Sequence, residues 1–535
     1  MQLYRSEAAI NLLGDDSFRQ FWQSVYECCP WKTCYQHLDY VSAWYQTYSR
    51  DFEPLVLVSD ESPKQFILPL ATRLGQIVVA GGRQAEYQAW LAPRLDPDFM
   101  YELIDFLNKM TNWKQLTFKF LPAGLSPAAL PPEHIVKEEF RRPLLSLNSI
   151  ENVHGWLKKI SKKSKLNELK KEGDLVFRRL TSARELEQYL DNIIEMYDFR
   201  QGAMNGVLPF ELDPRKKKFC LALAGISSLT HCTVLQISEK VIAAHYGRIS
   251  DDTLHVGILA YSPLYARFSP AKVHLMMLAL MLHKQGIRFI DLTPGGDEWK
   301  ERFATEHDTV TLATLHRSQL TARKLNLERS ARKIAKRTLV SLGFPSMLLS
   351  TLAGDRSGNR RDFSADTGAT EPSSSTAILY SATTADLDLI KEDQTEVCMD
   401  RMSHLLGFER GQNQDGRLHF LARCLRRLES GQSHVFTRVE KDSLVQSVWL
   451  KKHFSSVESL ESAAKLSAEN KFTLFDLRCD CDFQDEKSLR ILVAAILDTL
   501  IRGSNRSSIF LYVPLNEPML VKTVDSLGLK TIKAQ

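Results

Sequence analysis

The chain has 535 residues, 44% of them hydrophobic and 25% charged, with a formal net charge of +5. Such a length exceeds one ordinary core and suggests three or four domains of about 150 residues each. The composition excludes wholesale disorder and a fibrous class, and the small charge excludes nucleic-acid binding by bulk electrostatics.

Residues 1–150 open with an aromatic-rich helical stretch (Phe21, Trp22, Tyr26, Trp31) and continue with β-like runs at 54–60 and 65–82. A helical pattern at 97–110 and the run LTFKFL (116–121) complete an α/β or α+β mixture. From 151 the chain turns basic: GWLKKISKKSKLNELKKEG sets seven lysines around Trp156, Leu157, Ile160, Leu166 and Leu169 at helical spacing, with Gly173 as the stop. Such a face is either simply solvated or meets an anionic partner such as lipid headgroups, a phosphorylated sugar carrier or RNA. Helical segments follow at LEQYLDNIIEMYDFRQG and at 213–225.

The segment 231–317 is the most legible. TVLQISEK, VIAAHYGRIS and TLHVGILA read as three strands joined by hairpin turns, the second at Asp251 and Asp252. YSPLYARFSPA intervenes, KVHLMMLALMLHKQG reads as a buried helix closed by Gly286, and RFIDLTP, DEWKERFA and TVTLATLH add strand, helix and strand. Residues 319–343 form a basic amphipathic helix suited to an anionic membrane face or to packing on its own domain, and 354–375 read as a flexible linker. Beyond it, SHVFTRVEKDSLVQSVWLKKH, FTLFDLRCD, EKSLRILVAAILDTL, SSIFLYVP, EPMLVKTVDSLG and KTIKA repeat the same order of elements. The expected division is 1–150, 151–345, a linker at 346–375, and a second copy of the architecture over 376–535.

Nine scattered cysteines do not make a disulfide framework, and neither Cys28 with Cys29 nor Cys479 with Cys481 has zinc-site spacing, so reduced thiols and no metal are expected. With neither a signal-like start nor about 18 consecutive apolar residues, a cytoplasmic protein is expected, with the inner membrane face as a peripheral location.

A strand that ends in a loop feeding a helix N-terminus offers free backbone N–H groups and the positive helix end to a pyrophosphate, as in coenzyme A. In the loop YARFSPAK, Ser269 is placed to cap the helix, Pro270 suits its first turn, and Arg267 and Lys272 bring positive charge. Acyl transfer to an amine needs a base and a proton donor for the leaving thiolate. His245 and Asp291 are the candidate bases, and Tyr261 and Tyr265 the candidate acids. In the C-terminal copy the corresponding loop carries Asp480, Asp482, Asp485 and Glu486, which repel pyrophosphate, so a degenerate, non-catalytic domain is expected there.

The basic helix, YSP at 261–263, FSPAK at 268–272, the Asp of FIDLTPG and GGDEWKERF at 295–303 resemble the acetyltransferase (GNAT) domain of the CelD/BcsL family. That resemblance runs from about Trp156 to His316; more loosely, residues 20–320 look like the paired GNAT-like halves of that family and of the FemAB peptidoglycan aminoacyltransferases. It implies mixed α/β sheets in tandem GNAT-like acyltransferase folds, with acetyl-CoA or another acyl-CoA as co-substrate. It also implies an amino-sugar or polysaccharide acceptor in cellulose or exopolysaccharide biosynthesis, with polysaccharide-synthase subunits as partners. Gly296, Glu298, Trp299, Lys300 and Phe303 fit the outline of the family's substrate-binding motif, while Ala271 stands in the phosphate loop where a glycine is typical. Two alternatives stay open: an aminoacyl-tRNA-dependent transferase of the FemAB kind, and a non-catalytic scaffold for synthase subunits or a membrane surface.

Overall fold

The computed structural model describes the chain except for residues 62–63, 111–112, 123, 126–129, 161–162, 342–376, 390–396, 409–413, 453–470, 481–482, 502–507 and 535. The expected linker therefore lies outside the described residues. Contacts divide the chain into two compact units, one of Met1–Leu190, Asp213–Leu259 and Ala271–Arg360, the other of Asp191–Leu212, Ala260–Pro270 and Arg361–Gln535.

The first unit holds two sheets. Gln2–Arg5 (β1), Glu53–Ser59 (β2), Phe66–Arg73 (β3) and Gln76–Val79 (β4) form a four-stranded antiparallel sheet in chain order. The larger sheet is built from Gln115–Leu121 (β5), Ile135–Ser146 (β6), Leu175–Leu180 (β7), Thr230–Ile237 (β8), Lys240–Ser250 (β9), Thr253–Tyr261 (β10), Phe289–Asp291 (β11) and Glu306–His316 (β12). Its order is β5-β12-β6-β11-β10-β9-β8-β7. Every residue of β8, which is shielded from the sheet edge by β7, is buried, as a strand covered on both faces requires. The basic stretch contains helices Ile150–Ile160 (α1) and Lys163–Lys171 (α2), followed by Ala183–Asn205 (α3). Pro270–Lys284 (α4) is apolar enough to be buried, and its Leu275, Leu278 and Leu282 pack in one core cluster with Leu254, Ile290 and Trp156. Glu298–Phe303 (α5) is short, and Gln319–Ser341 (α6) starts by packing on β6, where Asn326 Nδ2 donates to the Ile135 carbonyl oxygen and Arg329 pairs with Glu138.

Since β5 and β6 belong to the larger sheet, the expected boundary at residue 150 cuts through a single sheet. The reason is register: β6 pairs with β12 over ten residues, from Ile135↔Leu315 to Leu144↔Glu306.

The second unit carries Ala377–Thr383 (β13), Cys398–Met399 (β14), Ser433–Glu440 (β15), Ser443–Lys452 (β16), Lys471–Cys479 (β17), Ser508–Pro514 (β18) and Lys530–Ala534 (β19), with helices Glu486–Ile501 (α7) and Pro518–Ser526 (α8). The order is β14-β15-β16-β17-β18-β13-β19. Read from its far end, this sheet matches β12-β6-β11-β10-β9-β8-β7 strand for strand. In both, the first strand inserts beside the last, and the helix-linked central pair is parallel. The two sheets thus share one strand topology, whose equivalent in the first unit begins at β6.

Candidate functional site

The site follows from where β10 and β11 part. They run parallel and share three register pairs, Thr253↔Phe289, Leu254↔Ile290 and His255↔Asp291. β11 then ends, while β10 continues to Tyr261. Beyond the last shared pair Gly257 is exposed between buried Val256 and Ile258. Glycine is needed here because a Cβ would stand 2.8 Å from the Tyr246 carbonyl oxygen. A strand edge released in this way offers main-chain N–H and C=O groups to an extended ligand.

A buried polar network sits at the last shared pair. Asp291, 0% exposed, accepts hydrogen bonds from the Tyr87 hydroxyl (2.5 Å), His255 Nδ1 (2.9 Å) and the Thr293 N–H (2.8 Å), with Arg142 Nη1 at 3.6 Å. Burial pushes the Asp291 carboxyl up, but the His255 hydrogen bond and charge, with Arg142 and Tyr87, outweigh it and hold the group below its ordinary value. Asp291 is an ionised hub. Arg142 is shared with Asp308, to which its Nε donates at 2.7 Å.

With the His255 Nδ1 proton directed at Asp291, Nε2 faces the Ser250 hydroxyl at 3.0 Å, and Ser250 Oγ accepts the Cys34 backbone N–H at 2.8 Å. The order Ser250, His255, Asp291 is a hydroxyl–imidazole–carboxylate relay, an arrangement able to take up and return a proton. Tyr35 and Tyr87 wall the imidazole, with ring centroids 5.7 and 5.1 Å away. Thr293, next but one to Asp291, has φ +66°, a conformation that costs a β-branched residue about 1–3 kcal/mol and that concentrates at functional sites. Lys300 steadies the turn that follows: its buried Nζ donates to Thr293 Oγ1 (3.1 Å) and the Pro294 carbonyl oxygen (3.4 Å) and pairs with Asp297 (3.1 Å).

Of the residues singled out in the sequence, Asp291 is the hub of this network and Lys300 reaches it through Thr293. His245 instead belongs to a second buried cluster. It lies on β9 with His231 on β8 and His274 on α4, all 0% exposed, the ring centroids 6.0 Å (His231 to His245) and 6.5 Å (His245 to His274) apart. Neither His245 ring nitrogen has a hydrogen-bond partner among the described residues, and burial, then the other two histidines and Arg248, hold it well below its ordinary pKa. The Tyr261 hydroxyl donates to Glu429 (2.8 Å), the Arg200 guanidinium covers its ring at 4.8 Å, and burial leads the causes that push the phenol up to about 12. Tyr265 and exposed Arg267 fall in the 3-10 turn Pro263–Phe268. Ser269 closes that turn with φ +56° and its N–H on the Ala266 carbonyl oxygen (2.8 Å), which corrects its expected role: an N-cap needs extended backbone, and Ser269 is left-handed. Ala271 and Lys272 are half-buried in the first turn of α4. Trp299 packs in the core cluster with Phe303, and Glu298 is exposed beside Arg302. Asp482 and the helical side chains from Arg332 onward lie outside the described residues.

Residues 158–301 match the family profile described as an acetyltransferase (GNAT) domain. The chain thus contains a domain similar to GNAT acetyltransferases, set among mixed α/β sheets. No curated protein matches the chain. Among solved structures, the C-terminal domain of a lysylphosphatidylglycerol synthetase from Agrobacterium fabrum is 10% identical, with 58% of this chain and 95% of that one aligned at a TM-score of 0.39. FemX is 8% identical over 55% of this chain and 95% of its own at 0.40. A tandem GNAT protein from the clavulanic acid pathway is 12% identical over 68% and 96% at 0.21. The GNAT match takes in β10, α4, β11, His255 and Asp291 but begins after Tyr87 and Arg142, so the network extends beyond the matched segment. Among the described residues no group of three or more His, Cys, Asp or Glu side chains is arranged to hold a metal, and no helix is long and apolar enough to cross a membrane.

Proposed function

We propose that this protein transfers an acyl group from acyl-CoA to the amine of an amino sugar or similar polar acceptor in exopolysaccharide or cell-envelope biosynthesis, as its likeness to the CelD/BcsL family implies. The observation that carries the reading is the coincidence of the β10 edge with the His255–Asp291 pair at its foot. In this reading the pantetheine arm lies along β10 past Gly257, and the first turn of α4, which carries Lys272, meets the phosphates. The acceptor ammonium loses its proton through the Ser250–His255 end of the relay, Asp291 stabilises the imidazolium that forms, and the amine attacks the thioester carbonyl; the tetrahedral intermediate then collapses with cleavage of the C–S bond, the CoA thiolate takes the proton back from the imidazolium and leaves as the free thiol, and the nitrogen's second proton goes to solvent. A peripheral position at an anionic inner membrane face fits the first turns of α6, where Leu320 and Leu327 are 77% and 72% exposed next to exposed Arg323 and Lys324.

The test is isothermal titration with acetyl-CoA and longer acyl-CoAs, followed by thiol release in the presence of amino sugars. Saturable binding, with turnover that falls in His255→Gln, is expected; no binding of any acyl-CoA would sink the reading. A second reading, aminoacyl transfer from tRNA, draws on exposed Lys158, Lys159, Lys170 and Lys171 of α1 and α2. It requires tRNA binding that weakens steeply with salt.

A further inference from the structure

We infer that the C-terminal copy binds a small zwitterion of the α-amino-acid class. A cavity of about 340 Å³ opens where β17 runs on past its three parallel pairs with β18. Its lining includes Gln446, Ser447, Leu477, Arg478, Asp480 and Met519. The volume sits at the small end of the range of roughly 300–1,000 Å³ for ligand pockets.

One buried polar side chain on this wall is unsatisfied and shares a face of the sheet with Arg478: Ser447, 0% exposed, pairs in register with Arg478, and its Oγ has no hydrogen-bond partner among the described residues. Buried polar atoms are nearly always paired, so this hydroxyl calls for a ligand that brings a hydrogen-bonding group.

Charge narrows the class. Arg423, Arg427 and Arg478 converge on Asp476, Arg427 most closely, with Arg423 at 3.8 Å and Arg478 at 3.6 Å. Glu517, which accepts the Asp476 N–H at 2.8 Å, adds a second carboxylate, leaving three guanidinium groups against two carboxylates. Arg478 Nε has no hydrogen-bond partner among the described residues. A ligand carboxylate beside Arg478 supplies the missing counter-charge. In the same lining the carboxylate of Asp480 favours an ammonium and repels phosphate. A carboxylate and an ammonium on one small skeleton satisfy both ends.

The test is independent of acyl transfer. The full chain is titrated calorimetrically with each of the proteinogenic amino acids and then, for any that binds, with its N-acetyl form and the amine that lacks its carboxyl. At least one amino acid binds, both derivatives bind about tenfold or more weakly, and Ser447→Ala and Arg478→Met each weaken binding while acetyl-CoA binding is unchanged. Arg478→Lys, a smaller change, serves if Arg478→Met fails to fold by circular dichroism. No binding at roughly 10 mM, an N-acetyl form that binds as well as its parent, or binding indifferent to these variants overturns the inference.

Discussion

Lowering the pH from 7 to 5 is expected to weaken the unit built on the eight-stranded sheet, through His231, His245 and His274. Burial is the first cause holding all three neutral, with Arg179 and His274 adding to it for His231. His231 falls to about 3, His274 to about 4, and His245 well below the ordinary 6.5. The unfolded chain takes up these protons near pH 6.5 and the folded one does not, so their contribution is complete above 6.5 and lost as the pH falls. At pH 5 the loss is about 2 kcal/mol per histidine, or about 6 kcal/mol for the three. His245→Met keeps the volume and removes one of these sites. In urea denaturation followed by tryptophan fluorescence, the variant should lose about 2 kcal/mol less than the parent between pH 7 and 5. Equal losses would refute the account of a neutral, sealed imidazole.

Asp291→Asn strips the charge from a carboxylate held by Tyr87, His255 and Arg142, and should destabilise the same unit by about 3–5 kcal/mol, read as a lower denaturation midpoint. His255→Gln keeps much of the shape but cannot shuttle a proton: turnover should fall about 10²–10⁴-fold with acyl-CoA affinity unchanged, and a loss confined to affinity would contradict a relay role. In Gly247→Ala the new Cβ meets the His255 carbonyl oxygen, so about 1–3 kcal/mol of stability should go, measurable by thermal melting. Leu320→Glu with Leu327→Glu should abolish flotation with anionic vesicles, and unchanged flotation removes α6 as the contact.

Much of the fold is legible because strands such as β8 and β9 are buried almost throughout and α4 is an apolar run closed by a glycine, so apolar runs and turn residues mark them plainly. Among the strands that escape that reading, β6, β7 and β13 show why. In β6 the run Lys137–Arg142 is charged and half-exposed, which hides an alternation that only pairing with β12 reveals. β7 is a six-residue strand at a sheet edge with adjacent Arg178 and Arg179 breaking its apolar run, and β13 is a short mixed run beside residues that read as linker. The site divides in the same way. Asp291 is visible at the end of a strand, but its partners come from separations of 204 residues (Tyr87) and 36 residues (His255), and no local pattern joins them. Ser250 reads as the last residue before a turn, and its role depends on the N–H of Cys34. His245, with its conspicuous strand position, draws the eye to a cluster whose histidines contact one another rather than the relay.

The insertion of each copy's first strand beside its last bears on synthesis. β6 leaves the ribosome long before β12, and Arg142 waits 166 residues for Asp308. At about 5–20 residues per second, that is roughly ten to thirty seconds with a strand edge unpaired on both sides. The charged middle of β6 suits that interval, since a run of lysine, glutamate and arginine discourages pairing with other nascent chains. β13, less charged, faces the same delay before β18 and β19 emerge. Expression of the C-terminal copy should therefore be more sensitive to translation speed and chaperone supply than that of the half built on β6, a difference that pulse-chase solubility measurements would register.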